Sequence, residues 1–102
     1  MNKYHARRTY SHLCQREFDS KAEAIRAEEL YLAQKVGVID YLEYQKKYKL
    51  CAKPLITVTI DFYYMEDGKW VLEDAKGVLT RDSRTKYAWL KEKYGIEVRL
   101  MK

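Results

Sequence analysis

The sequence predicts an α/β domain: a mixed central sheet flanked by helices, in the order αβββαβ. A capping signal opens a helix at Ser20, and Gly37 closes it. Two β-rich runs, residues 55–65 and 70–77, flank Glu66-Asp67-Gly68-Lys69. A second helical register of Tyr87, Leu90 and Tyr94 ends at Gly95. Those three observations fix the class.

Residues 1–18 are polar, basic and aromatic without helical period, and read as a basic N-terminal arm, either flexible or irregular β-structure. Ser20 and Glu23 stand in capping-box register, where the serine hydroxyl accepts from the amide three residues on. The helix they open runs to about Lys35, and Gly37 suits its left-handed end. Ala22, Ile25, Leu32 and Val36 form one apolar stripe, with Ala27 and Leu30 on the other side. Such a helix is expected to be covered on two sides. Residues 41–52 alternate weakly and predict the first strand, which Pro54 ends. Asp67-Gly68 between β-rich runs is the strongest short signal for a two-residue type I′ hairpin. Thr80 is the N-cap of a second helix through about Tyr94, and residues 96–100 alternate as a last strand. No repeat, low-complexity tract or linker divides the chain, so residues 1–102 read as one domain.

A core of 102 residues is small, and dimerisation helps stabilise domains of that size. The net charge is +5, with bases gathered at Lys3, Arg7, Arg8 and Arg16, at Lys46, Lys47, Lys49 and Lys53 and in residues 81–102, and acids in residues 17–43 and 61–74. A cationic rim around an acidic centre suits a polyanion and a bound metal together. Cys14 and Cys51 read as free thiols of a reducing compartment; with His5 and His12 they match no zinc-finger spacing. No apolar run approaches membrane-spanning length, and the N-terminus lacks a signal-peptide core. The expected location is therefore cytoplasmic, with no membrane partner. Neither a glycine-rich phosphate loop nor an activated serine, cysteine or histidine nucleophile is present.

The hairpin carries the chemistry. With Asp67-Gly68 at the turn, Glu66 pairs with Lys69, and Asp61 falls opposite Asp74. Strand alternation puts Lys76 on Asp74's face, one diagonal step from Asp61. Two carboxylates side by side repel unless positive charge lies between them. A Mg²⁺ or Mn²⁺ ion held by oxygen ligands relieves that repulsion, with Lys76 beside it for a phosphate or water. A solvated sheet face on which Lys76 pairs with both acids accounts for the same residues. Asp61 is the more telling of them, because aspartate is disfavoured inside strands.

Glu73 alternates away from Asp74 and reads as a structural acid; Trp70 and Trp89 read as core or dimer-interface aromatics. Arg7 and Arg8, beside Tyr4, His5 and Tyr10, combine charge and stacking surface as nucleic-acid arms do. Arg84 and Lys86, on the second helix, are candidate phosphate contacts, although a solvated helix face explains them equally well.

Four segments together carry a resemblance: Lys3-Tyr4-His5, Phe18-Asp19-Ser20-Lys21-Ala22-Glu23-Ala24, Ile60-Asp61-Phe62-Tyr63-Tyr64 and Glu73-Asp74-Ala75-Lys76-Gly77. In the same order, over nearly the whole chain, they resemble a family of small phage and prophage proteins assigned to the PD-(D/E)XK nuclease superfamily. The resemblance implies a restriction-endonuclease-like αβββαβ core and a metal-dependent endodeoxyribonuclease using one or two Mg²⁺ or Mn²⁺ ions. It implies Asp61 and Asp74 as metal ligands, Lys76 as the catalytic lysine and Glu23 as the first-helix glutamate completing the site. Ala75 stands where the family has a larger aliphatic residue, and its backbone carbonyl would face the metal. Ile60 stands where proline is common. Position N3 of the capping box explains Glu23 equally well without metal, and Glu28 or Glu29 would serve if the helix were rotated.

By fold analogy the expected partner is branched or four-way-junction DNA, bound by a homodimer in phage recombination or replication. Two other classes stay open: a catalytically inactive DNA-binding accessory factor, and a module that binds an acidic surface of a host complex.

Overall fold

The structure is a computed structural model and describes residues 7–75 and 80–101. Strands β1 (Thr9–Ser11) and β2 (Arg16–Phe18) pair antiparallel in a small sheet that packs on the first helix. Of the alternatives for the N-terminal arm, β-structure therefore holds over residues 9–18, with Phe18 buried in the core. The remainder of that arm, residues 1–6, lies outside the described residues.

Helix α1 (Lys21–Lys35) begins as its capping signal predicts: the Ser20 hydroxyl accepts from the Glu23 amide at 3.1 Å. It ends at Val36, and Gly37 takes the left-handed conformation at φ 85°. The face it buries is Glu23, Ala24, Ala27 and Leu30. The expected covering on two sides is corrected, since Ile25, Leu32 and Val36 are exposed. The two alanines explain the choice of face, because short side chains let the helix approach the sheet closely.

The main sheet comprises β3 (Asp40–Cys51), β4 (Ile56–Glu66), β5 (Lys69–Ala75) and β6 (Val98–Met101), hydrogen-bonded in that order. The first three strands run antiparallel, and β6 joins parallel to β5 after helix α2 (Arg81–Tyr94) crosses over. Behind the small N-terminal sheet the order is thus αβββαβ. The hairpin turn falls at Asp67 and Gly68, whose φ values of 52° and 76° are both positive, as a type I′ turn demands. Glu66 pairs with Lys69. Thr80 caps α2 by accepting from the Ser83 amide, and Gly95 ends it at φ 70°.

Consecutive residues of β5 point to opposite faces of the sheet. Glu73 meets Arg26 of α1 while Asp74 meets Tyr87 of α2, so the helices flank the sheet on its two sides. Each helix has its own core. Phe18, Ala27, Leu30, Phe62 and Tyr64 gather under α1, and Leu50, Val58, Ile60 and Leu72 gather around Leu90 of α2. Ile60 and Phe62 would share a face in a regular strand, yet they serve different cores. The alternation changes phase between them, at Asp61. On β3 the same change separates Tyr44 from Tyr48, across Gln45, which has a left-handed φ of 57°. By register Gln45 lies opposite Asp61. Both strands therefore invert on one rung.

Candidate metal and nucleic-acid site

The described pairing of β4 with β5 runs from Glu66–Lys69 to Phe62–Glu73, one rung short of the aspartates. There the side chains take over from the backbone ladder. Asp74 Oδ1 accepts from the Asp61 amide at 2.7 Å, and Asp61 Oδ2 accepts from the Ala75 amide at 3.0 Å. The Tyr87 hydroxyl donates a short hydrogen bond to the other oxygen of Asp74. Asp74 is 1% exposed, so these partners are what make its burial tolerable. Burial, and then Asp74 itself, push the Tyr87 hydroxyl well above the usual phenol range.

Glu23 reaches the same place from the first turn of α1. Its backbone amide serves the Ser20 cap while its carboxyl faces Asp61, so the cap leaves the side chain beside the aspartates. Burial first, and the charge of Asp19 next, raise the Glu23 carboxyl above its ordinary value; a hydrogen bond with Asp61 works against the rise, and Asp74 adds to it. Gln45 Nε2 also donates to Glu23 Oε2, at 3.4 Å. Three acids from α1, β4 and β5 thus converge where both strands invert. Among the described residues no ion pair reaches Glu23 or Asp74.

These donors fit a hard divalent cation in one particular way. Among the described residues no three histidine, cysteine or acidic side chains form a ready metal cluster. Mg²⁺ does not require one, since it is usually held by one or two carboxylates, keeps several waters and takes substrate phosphate. Among the described residues each Asp74 oxygen accepts one hydrogen bond, and a carboxylate oxygen offers a second lone-pair direction. Oxygen donors, converging negative charge and unused lone pairs suit Mg²⁺ or Mn²⁺ rather than zinc.

The other predicted residues fall in several places. Lys76 and His5 lie outside the described residues. Lys86 is half-buried and lines an open cleft of about 320 Å³ with Thr57, Thr59, Asp74, Ser83 and Tyr87; it pairs with Asp82 at 3.5 Å. Arg84 is exposed on the same helix, and Arg7 is exposed before β1. Arg8 is turned onto its own hairpin, paired with Glu17 at 2.7 Å. A rotated α1 is not observed: Glu28 accepts from Ser11 and Glu29 from Arg26.

Glu73 faces α1, fully buried, held by Arg26 Nε at 2.6 Å, Arg26 Nη2 at 3.0 Å and the Tyr64 hydroxyl at 2.6 Å. Burial, then Glu73, raises that hydroxyl to about 12. Sequence reasoning missed Tyr87 and Gln45. Tyr87 announces itself only as an apolar helical position, and a left-handed glutamine carries no local marker.

No helix among the described residues is long and apolar enough to cross a membrane. No curated protein and no solved structure matches the chain. The chain belongs to the family described as Protein of unknown function (DUF1064), whose model matches residues 1–102.

Proposed function

We propose that this chain is a Mg²⁺-dependent DNA endonuclease that hydrolyses phosphodiester bonds in branched DNA, acting as a homodimer. The observation that supports it best is the convergence of Glu23, Asp61 and Asp74 from three elements, with Ala75 and Lys76 next in the chain. A divalent ion bound there would supply charge neutralisation at the scissile phosphate and acidify a water molecule. The residues' own work is separable. Asp61 and Asp74 present oxygens held in place by the Ala75 and Asp61 amides and by Tyr87. Glu23, whose carboxyl burial raises above its ordinary value, faces Asp61 from the first turn of α1 and is the candidate proton carrier of the three acids. Lys76 provides the point charge for phosphate, and Lys86, in the cleft beside Asp74, a second one.

The test is cleavage of labelled four-way junction, flap, duplex and single-stranded DNA in Mg²⁺, Mn²⁺ or EDTA. Metal-dependent cutting is expected, reduced on the order of 100-fold or more in Asp74→Asn and Lys76→Ala. Binding without cutting in either metal would sink the enzyme. One observation favours a second reading, a DNA-binding factor without turnover: both Asp74 oxygens already serve the fold's own donors. Its signature is Mg²⁺-independent binding that Asp74→Asn leaves unchanged or improves.

A further inference from the structure

On the α2 face of the sheet, the end nearest the hairpin turn carries an uncovered aromatic cluster. Tyr63 and Trp70 stack with ring centroids 4.7 Å apart and 14° between their planes. Tyr41 meets the indole at a tilt, 5.9 Å away, and Lys46 Nζ lies 4.9 Å from the Tyr63 ring centroid. Trp70 is 49% exposed and Tyr41 66%, so the expectation of Trp70 as a core aromatic is corrected. An open groove of about 250 Å³, lined by Leu72, Glu97 and Arg99 among others, runs beside the indole. Trp70 and Asp74 lie on one strand, on one face and four residues apart, a span of about 13 Å at strand rise.

We infer that Trp70, Tyr63 and Tyr41 form a stacking platform for unpaired bases of single-stranded DNA leading to the Asp61–Asp74 centre. Diagonal cross-strand aromatic pairing alone would account for Tyr63 against Trp70. It does not account for the half-exposed indole, or for a cation over the same cluster on a chain of net charge +5. Flat aromatic faces beside lysines are what sequence-tolerant single-strand binding uses, because every base presents a π-face. The inference rests on the reading of the chain as a DNA-acting protein and adds a substrate class to it: branched DNA with an unpaired arm, such as a flap or fork.

The test is run without metal, so that binding is read apart from cutting. The chain has two tryptophans, and Trp89→Phe leaves Trp70 as the reporter. Oligothymidine is expected to quench that emission saturably. Trp70→Ala is expected to weaken oligothymidine binding by about tenfold, Trp70→Phe much less, and neither to change duplex binding. If Trp89→Phe does not fold, gel-shift titration of the Trp70 variants decides alone.

Unquenched emission with oligothymidine bound, equal losses on duplex, or a dimer that dissociates on Trp70→Ala would each overturn the platform. Absence of cutting in Mg²⁺ would remove the nuclease and leave a confirmed platform standing. Failure of stacking in a chain that still cuts junctions would remove only the platform.

Discussion

At the scale of single residues, Glu23 is the acid whose charge the fold penalises. Its folded value lies above its unfolded one, so its contribution to stability is full below the unfolded value and is lost as pH rises through the folded value. Glu23→Gln keeps a capping-box residue and removes the penalty. It is therefore expected to be more stable than the parent at pH 7, with the difference vanishing below about pH 4; urea unfolding at both pH values reads this directly. The opposition of Asp61 and Asp74 was legible in the sequence because a two-residue turn sets hairpin register locally. Tyr87 was not, since which residue of a helix meets a strand depends on docking between distant segments.

At the scale of elements, Arg26 fastens α1 to β5 through a carboxylate with no exposure to water. Arg26→Ala strips the buried Glu73 of its ion-pair partner and leaves, among the described residues, the Tyr64 hydroxyl as its hydrogen-bond donor, which is expected to cost about 3–5 kcal/mol in denaturant unfolding. The helix ends and the hairpin were readable because Ser20, Thr80, Gly95 and Asp67-Gly68 act through their own backbone. Periodicity found both apolar sides of α1 but could not say which one the sheet would take. The alanine side was taken, and the bulkier Ile25 and Leu32 were left outside. The change of face at Gln45 and Asp61 escaped the sequence altogether, because burial alternates unbroken along each strand while the core it faces switches.

At the scale of the molecule, the acids of three elements are held together in a chain whose net charge is positive. A cation that binds only the folded arrangement must stabilise it. At about 100 times its dissociation constant, Mg²⁺ is expected to add about 2.7 kcal/mol, which is read as a rise in the thermal midpoint. Asp74→Asn should abolish the rise, and a shift that persists in that variant would place the ion elsewhere. Dimerisation is an expectation from chain length alone, since a surface left exposed in one copy does not name what covers it.

The hairpin also sets an order of events in time. Asp61 and Asp74 are 13 residues apart in sequence, far closer than either is to Glu23. Contacts of such short separation form early in folding. The two carboxylates are thus expected to meet before α1 or α2 arrives, so their repulsion weighs on the folding barrier, while the Tyr87 bond weighs on unfolding. Stopped-flow refolding of Asp74→Asn should then show both limbs faster than the parent: folding because the repulsion is gone, unfolding because the late hydrogen bond is weakened. The carboxylate pair would in this way act as a brake on its own assembly.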